Sequence, residues 1–163
     1  MEGYLYIQKE GGTSAVNLEK DMSIGLVETS LDIDGGVKTP YTNDRYDESG
    51  EDVYIPTSGL KLKAYDAQYT LCYKGKGDGA FETMEGLREN LLKTGGALLM
   101  IYDSRTGKGA SGAYLKSFSN PEYAKMEDGS EVLKFQITFR VTKPDEELKL
   151  TVNSDGSAML SVK

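Results

Sequence analysis

Leu133, Phe135, Ile137, Phe139 and Val141 alternate without a break against Lys134, Gln136, Thr138, Arg140 and Thr142. Side chains of an extended chain point to opposite faces in turn, so this period of two gives one dry face and one wet face. The segment is predicted to be a strand whose apolar side packs on a core. The remainder of the chain has to supply its neighbours and its cover.

Other segments read the same way. A short strand is expected at Tyr4–Gln8, ended by Gly11-Gly12. Another runs between Met22 and Ile33, with Ile24 and Leu26 on one face and a kink at Gly25. Val53-Tyr54-Ile55 is followed by a strand at Leu60–Ala64, with Leu60 and Leu62 inward, and by one at Gln68–Lys74 that puts Tyr69, Leu71 and Tyr73 on one face. Ala97–Tyr102 is a continuous apolar run, short for a helix, and is expected as a central strand covered on both faces. A loop at Asp103–Gly112 leads to a strand from Ala113 to Phe118 that Asn120-Pro121 breaks; a turn at Glu127–Ser130 then opens the alternating strand. Leu148, Leu150 and Val152, a turn at Asn153–Gly156, and Ala158, Leu160 and Val162 form a C-terminal hairpin over 146–162.

One helix is expected, Phe81–Lys93, because Phe81, Met84, Leu87, Leu91 and Leu92 recur at helical spacing. Asp78 is its candidate N-cap. Glu82 and Glu85 come early, Arg88 and Lys93 late, and Gly95-Gly96 stops it. Gly86 inside the helix costs about 1 kcal/mol relative to Ala, which suggests close approach of a neighbouring strand. The fold class is therefore mainly β: a sandwich or partly open barrel of about ten strands with one flanking α-helix and no βαβ alternation. Residues 1–163 read as a single β-rich domain, a length sufficient for a core without disulfides.

Between Asp34 and Asp52 the strand pattern stops. Gly, Pro and acidic residues form a long loop at 34–52 that carries Tyr41 and Tyr46, with Tyr54 just beyond. Loops of this length are uncommon unless functional or disordered. Ordering each residue costs about 1–2 kcal/mol, and so polar a segment has little apolar surface to offset it. The loop is thus expected to order on a neighbouring subunit, with Tyr41, Tyr46 and Tyr54 as candidate interface anchors. A loop folded back on its own domain is the alternative.

Chemistry-bearing residues are sparse. There is no His, and Cys72 is alone in a strand pattern, so neither an internal disulfide nor a His-activated thiol is available. The net charge of −7, with basic residues dispersed, argues against a nucleic-acid backbone as partner. Asp32 with Asp34, or Asp44 with Asp47 and Glu48, offer paired carboxylates, but their spacing follows no calcium loop and reads as solvated turns. Thr106-Gly107-Lys108-Gly109 lacks the upstream Gly and the following Ser or Thr of a phosphate loop and reads as a hairpin turn. Gly75–Gly79 meets a helix N-terminus without a second charged partner. No catalytic, cofactor or metal residue is assigned. No apolar run approaches a membrane span, and Met1-Glu2-Gly3-Tyr4 has no signal-peptide pattern, so synthesis in the cytoplasm is expected. The 11 tyrosines against 4 phenylalanines suit either strands or interfaces that are apolar at the centre and wet at the rim.

The element order over residues 53–144 is two strands (Leu60–Ala64, Tyr69–Tyr73), the helix Phe81–Lys93, and a Gly-Gly stop. After these come the buried strand Leu98–Asp103, a strand ending Tyr114–Phe118, and a long closing strand Val132–Val141 that runs into Thr142-Lys143-Pro144. This order resembles the tail-tube and distal-tail proteins of tailed bacteriophages. The likeness is one of pattern; a distal-tail protein carries a further domain where this chain has a short hairpin. The resemblance implies a non-catalytic virion subunit. Its implied state is a hexameric ring around a channel that contacts other tail proteins, with the 34–52 loop reaching the next ring. The competing class is a small β-sandwich binding module for carbohydrate or protein that uses exposed tyrosines.

Overall fold

The computed structural model describes residues 4–30, 35–76 and 79–163, with Lys76 described by its backbone alone. The elements in chain order are β1 (Leu5–Lys9), β2 (Val16–Asn17), α1 (Leu18–Met22), β3 (Ile24–Thr29), β4 (Tyr41–Asn43), β5 (Asp52–Tyr54), β6 (Tyr65–Lys76) and α2 (Ala80–Leu92). Then follow β7 (Leu99–Asp103), β8 (Lys108–Lys125), β9 (Ser130–Lys143), β10 (Leu148–Val152) and β11 (Ala158–Val162). The fold is mainly β, as the alternation requires.

Seven strands form one antiparallel sheet in the order β2-β1-β7-β8-β9-β6-β3. β9 is its spine. It pairs with β6 from Tyr65↔Val141 to Lys76↔Ser130 and with β8 along its other edge. Leu133, Phe135, Ile137, Phe139 and Val141 are all buried on the inner face, where Tyr69, Leu71 and Tyr73 of β6 join them.

The sheet curls. Thr29 at the end of edge strand β3 donates its hydroxyl to Asp103 of β7 (Oγ1 to Oδ2, 2.8 Å), although three strands lie between them in the sheet order. Arg105 reaches the same edge and donates to the Val27 carbonyl at 3.0 Å. The main core therefore lies inside a partly open barrel, closed at this end by side chains rather than by a strand ladder.

α2 covers the open side with buried Leu87 and Leu91 and half-buried Met84. Phe81 is half exposed and stacks at a tilt on Tyr123 (centroids 5.3 Å apart), and Leu92 is exposed. The N-cap residue is Gly79, with no side-chain cap bond. The proposed cap Asp78 lies outside the described residues. Gly86 marks no close approach: a Cβ there would meet nothing within 4 Å. Gly86→Ala should accordingly raise stability by about 1 kcal/mol, seen as a higher midpoint in urea unfolding. A lower midpoint would mean that this face is covered.

A second, smaller core sits on the outer side of β1 and β7. Tyr6 and Met100 are buried there under Leu148, Ala158 and Leu160 of the β10–β11 hairpin. Gln8 pins the hairpin by acting as a strand neighbour: its Oε1 accepts from Leu160 N (2.7 Å) and its Nε2 donates to Leu160 O (3.1 Å). Gly109 lets the hairpin lie this close, since a Cβ there would stand 2.7 Å from Leu148 Cβ.

Several boundaries differ from the sequence-based expectation, each for a local reason. α1 was not anticipated. It is one short turn capped by Asn17, whose Oδ1 accepts from Glu19 N and Lys20 N, and it ends at Ser23 with φ 58°. The irregularity in β3 falls between Leu26 and Glu28, not at Gly25. Asn120-Pro121 does not end β8. The register shifts between Ser119 and Glu122, and Asn120 takes φ 52°, so the proline, which has no N–H to give, sits in a bulge. The loop expected at Asp103–Gly112 is only a tight turn, closed by Gly107 N donating to Asp103 O at 2.9 Å. Leu60–Ala64 is not a strand of the sheet: Leu62 forms a single bridge to Val37, and Leu60 is exposed. Its alternation is real, but pairing with β9 starts only at Tyr65.

Candidate subunit interface

β3 and β6 are neighbours in the sheet, and between them residues 35–64 stand off the barrel as an arm. Ser30 N donates to Gln68 O (2.8 Å) as the two strands part. The pairing resumes at Val37↔Leu62, where Lys38 N donates to Lys61 O (2.7 Å) and Lys63 N to Gly36 O (2.8 Å). Further out, β4 and β5 pair in the register Tyr41↔Tyr54, Thr42↔Val53 and Asn43↔Asp52. Within the segment expected as a long loop at 34–52, residues 41–43 and the start of β5 pair as a short β-hairpin, and the rest of its described residues are turns, bends and irregular chain with one bridge at Val37. Tyr, Thr and Val favour strands but Asn and Asp do not, so neither three-residue strand is legible without the other.

At the tip the chain turns through Gly50 (φ 84°). Arg45 bridges Glu48 (3.8 Å) and Asp52 (3.4 Å), both exposed pairs that hold the turn only weakly.

The three tyrosines singled out from the sequence are all exposed. Tyr41 is 74% exposed, Tyr54 65%, and Tyr46 at the tip is completely exposed. Tyr41 and Tyr54 are cross-strand partners and share one face of the hairpin. Val53 lies on the other face, opposite Thr42, and is exposed, as are Val37, Ile55 and Leu60. From the sequence these apolar residues are not interface candidates; for Val53 the signal is its place next to Tyr54 in a strand, which puts it on the face opposite the tyrosines.

Between residues 35 and 64 no residue is buried. An isolated two-stranded hairpin is marginal in water, and monomers seldom leave clustered apolar surface uncovered.

The residues weighed for chemistry are scattered. Asp32 and Asp34 lie outside the described residues; Asp44, Asp47 and Glu48 are exposed at the arm tip. Among the described residues no group of three or more His, Cys, Asp or Glu is placed to hold a metal ion. Cys72 points to the outer face of the sheet, and partial burial pushes its thiol up, against the pull of Lys134 and Lys74.

A cavity of about 550 Å³ opens where the arm leaves the barrel, lined in part by Thr29, Leu62, Tyr65, Tyr69 and Asp103. Both Asp103 oxygens are occupied, Oδ2 by Thr29 and Oδ1 by the Arg105 backbone N–H (2.9 Å). Burial, then Tyr65 and Asp103, drive the Tyr69 phenol well above its ordinary range, so it stays protonated. The carboxylate here latches the barrel and the phenol is no base.

No helix among the described residues is long and apolar enough to cross a membrane. No protein-family model matches the chain, and no curated protein matches it.

Proposed function

We propose that this protein is a structural subunit of a phage or prophage tail, of the tail tube or distal tail ring, that self-associates through the arm formed by residues 35–64. One observation carries the reading: the arm is a paired hairpin that exposes Val37, Tyr41, Tyr46, Val53, Tyr54 and Ile55 and buries none of its residues. Such a surface favours association, because covering it removes apolar area from water at about 25 cal/mol per Å². The order of elements over 53–144, which resembles tail-tube and distal-tail proteins, supports the choice of assembly.

Sedimentation velocity on the intact chain tests the proposal. Species at multiples of the 17.8 kDa chain mass, with rings or stacks by electron microscopy, are expected. A monomer that persists at high concentration would favour the binding-module reading instead.

A further inference from the structure

Resting on that assembly reading, we propose that the contact is head-to-tail: the tip of one copy's arm docks on the root of the next copy's arm. The arm is sorted by charge. At the root, where Val37 bridges Leu62, Lys38, Lys61 and Lys63 are exposed, and residues 35–40 and 60–64 contain no carboxylate. The tip carries Asp44, Asp47, Glu48, Glu51 and Asp52 against Arg45 alone.

The β4–β5 ladder stands between the two ends, so a tip cannot fold back onto its own root. Its complement is the root of another copy. The root's own apolar surface is half-buried Leu62 with exposed Val37 and Leu60; the adjoining cavity is mixed in charge, its lining including Lys143 and Lys163 with Asp145 and Glu146.

A tip-to-root contact joins two different surfaces, which makes it heterologous: it closes into a ring or continues as a stack, according to the rotation per step. Charge sets the register and the encounter rate, while the apolar side chains of the arm supply most of the affinity. Since exposed charges are screened beyond roughly 8–10 Å at ordinary ionic strength, assembly should weaken as salt is raised.

Charge reversal on the full chain tests this by sedimentation equilibrium. One variant carries Lys38→Glu, Lys61→Glu and Lys63→Glu, the other Asp47→Lys, Glu48→Lys and Glu51→Lys. All six side chains are exposed, so both variants should melt like the parent. Each alone should associate about tenfold or more weakly than the parent, since like charges now face each other across the junction. Mixed in equal amounts they should associate like the parent, because every junction again pairs opposite charges.

Single variants that associate as the parent does would overturn the proposal and leave the arm as an interface to some other surface. A mixture as weak as its components would do the same. A parent chain that is itself monomeric would instead remove the assembly reading, and the proposal with it.

Discussion

Phe139→Ala should destabilise the protein by about 3–5 kcal/mol, a large part of the 5–15 kcal/mol that holds a typical domain together. Phe139 is fully buried at the centre of β9. It lies between Ala67 of β6 and Leu115 of β8, and its ring meets Tyr69 edge-on with centroids 6.0 Å apart. Strands hold it on two sides, so its neighbours cannot collapse into the space that a truncation leaves; the cavity term adds to the lost transfer energy. Phe135→Ala should behave alike, because its ring stacks on Phe118 at 5.7 Å. Thr138→Ala, one residue away on the outer face, should cost less than about 0.5 kcal/mol. Urea unfolding of the variants decides the matter. A loss below 1 kcal/mol for Phe139→Ala would mean that the inner and outer faces of β9 are exchanged.

That contrast between neighbours also explains which parts of the structure were legible in the sequence. Where one face is buried and the other wet, the code has period two and can be read directly: β9, β6 and the β10–β11 hairpin stand close to where their alternation put them. Where the backbone is irregular, the code is a single residue. Asn120-Pro121 reads as a stop, yet a bulge lets β8 pass through it, because β9 continues alongside and the proline falls where no N–H is needed. Gly86 reads as a contact, yet nothing lies near it. Leu60 and Leu62 alternate with lysines as a half-buried strand would, but they belong to the arm, and alternation cannot say what stands opposite. The arm itself was legible in its tyrosines and acidic residues and illegible in its pairing. Two strands of three residues have no periodicity of their own, and only their mutual register, with Tyr41 across from Tyr54, makes a hairpin. The acid–base separation between root and tip depends on that register too, since Lys38 and Lys61 come together only when the chain doubles back.

Excision of the arm should abolish self-association and leave the fold intact. Gly36 and Lys63 are the natural points of closure, since Lys63 N already donates to Gly36 O at 2.8 Å. An Asn-Gly turn in place of residues 37–62 suits the twist of the strands it would join. The removed segment contains no buried residue, so neither core loses a contact of consequence. Shortening the connection between β3 and β6 also lowers the entropy cost of closing it, by roughly 1 kcal/mol for a loop cut to about a third of its length. The thermal midpoint should therefore stay level or rise slightly. The association constant, by contrast, loses both the exposed aromatic surface and the charges of tip and root. The excised chain should sediment as a monomer at concentrations where the parent assembles. If it assembles as the parent does, the interface lies elsewhere on the barrel. If it fails to fold, the arm belongs to the scaffold and its exposed tyrosines need another explanation.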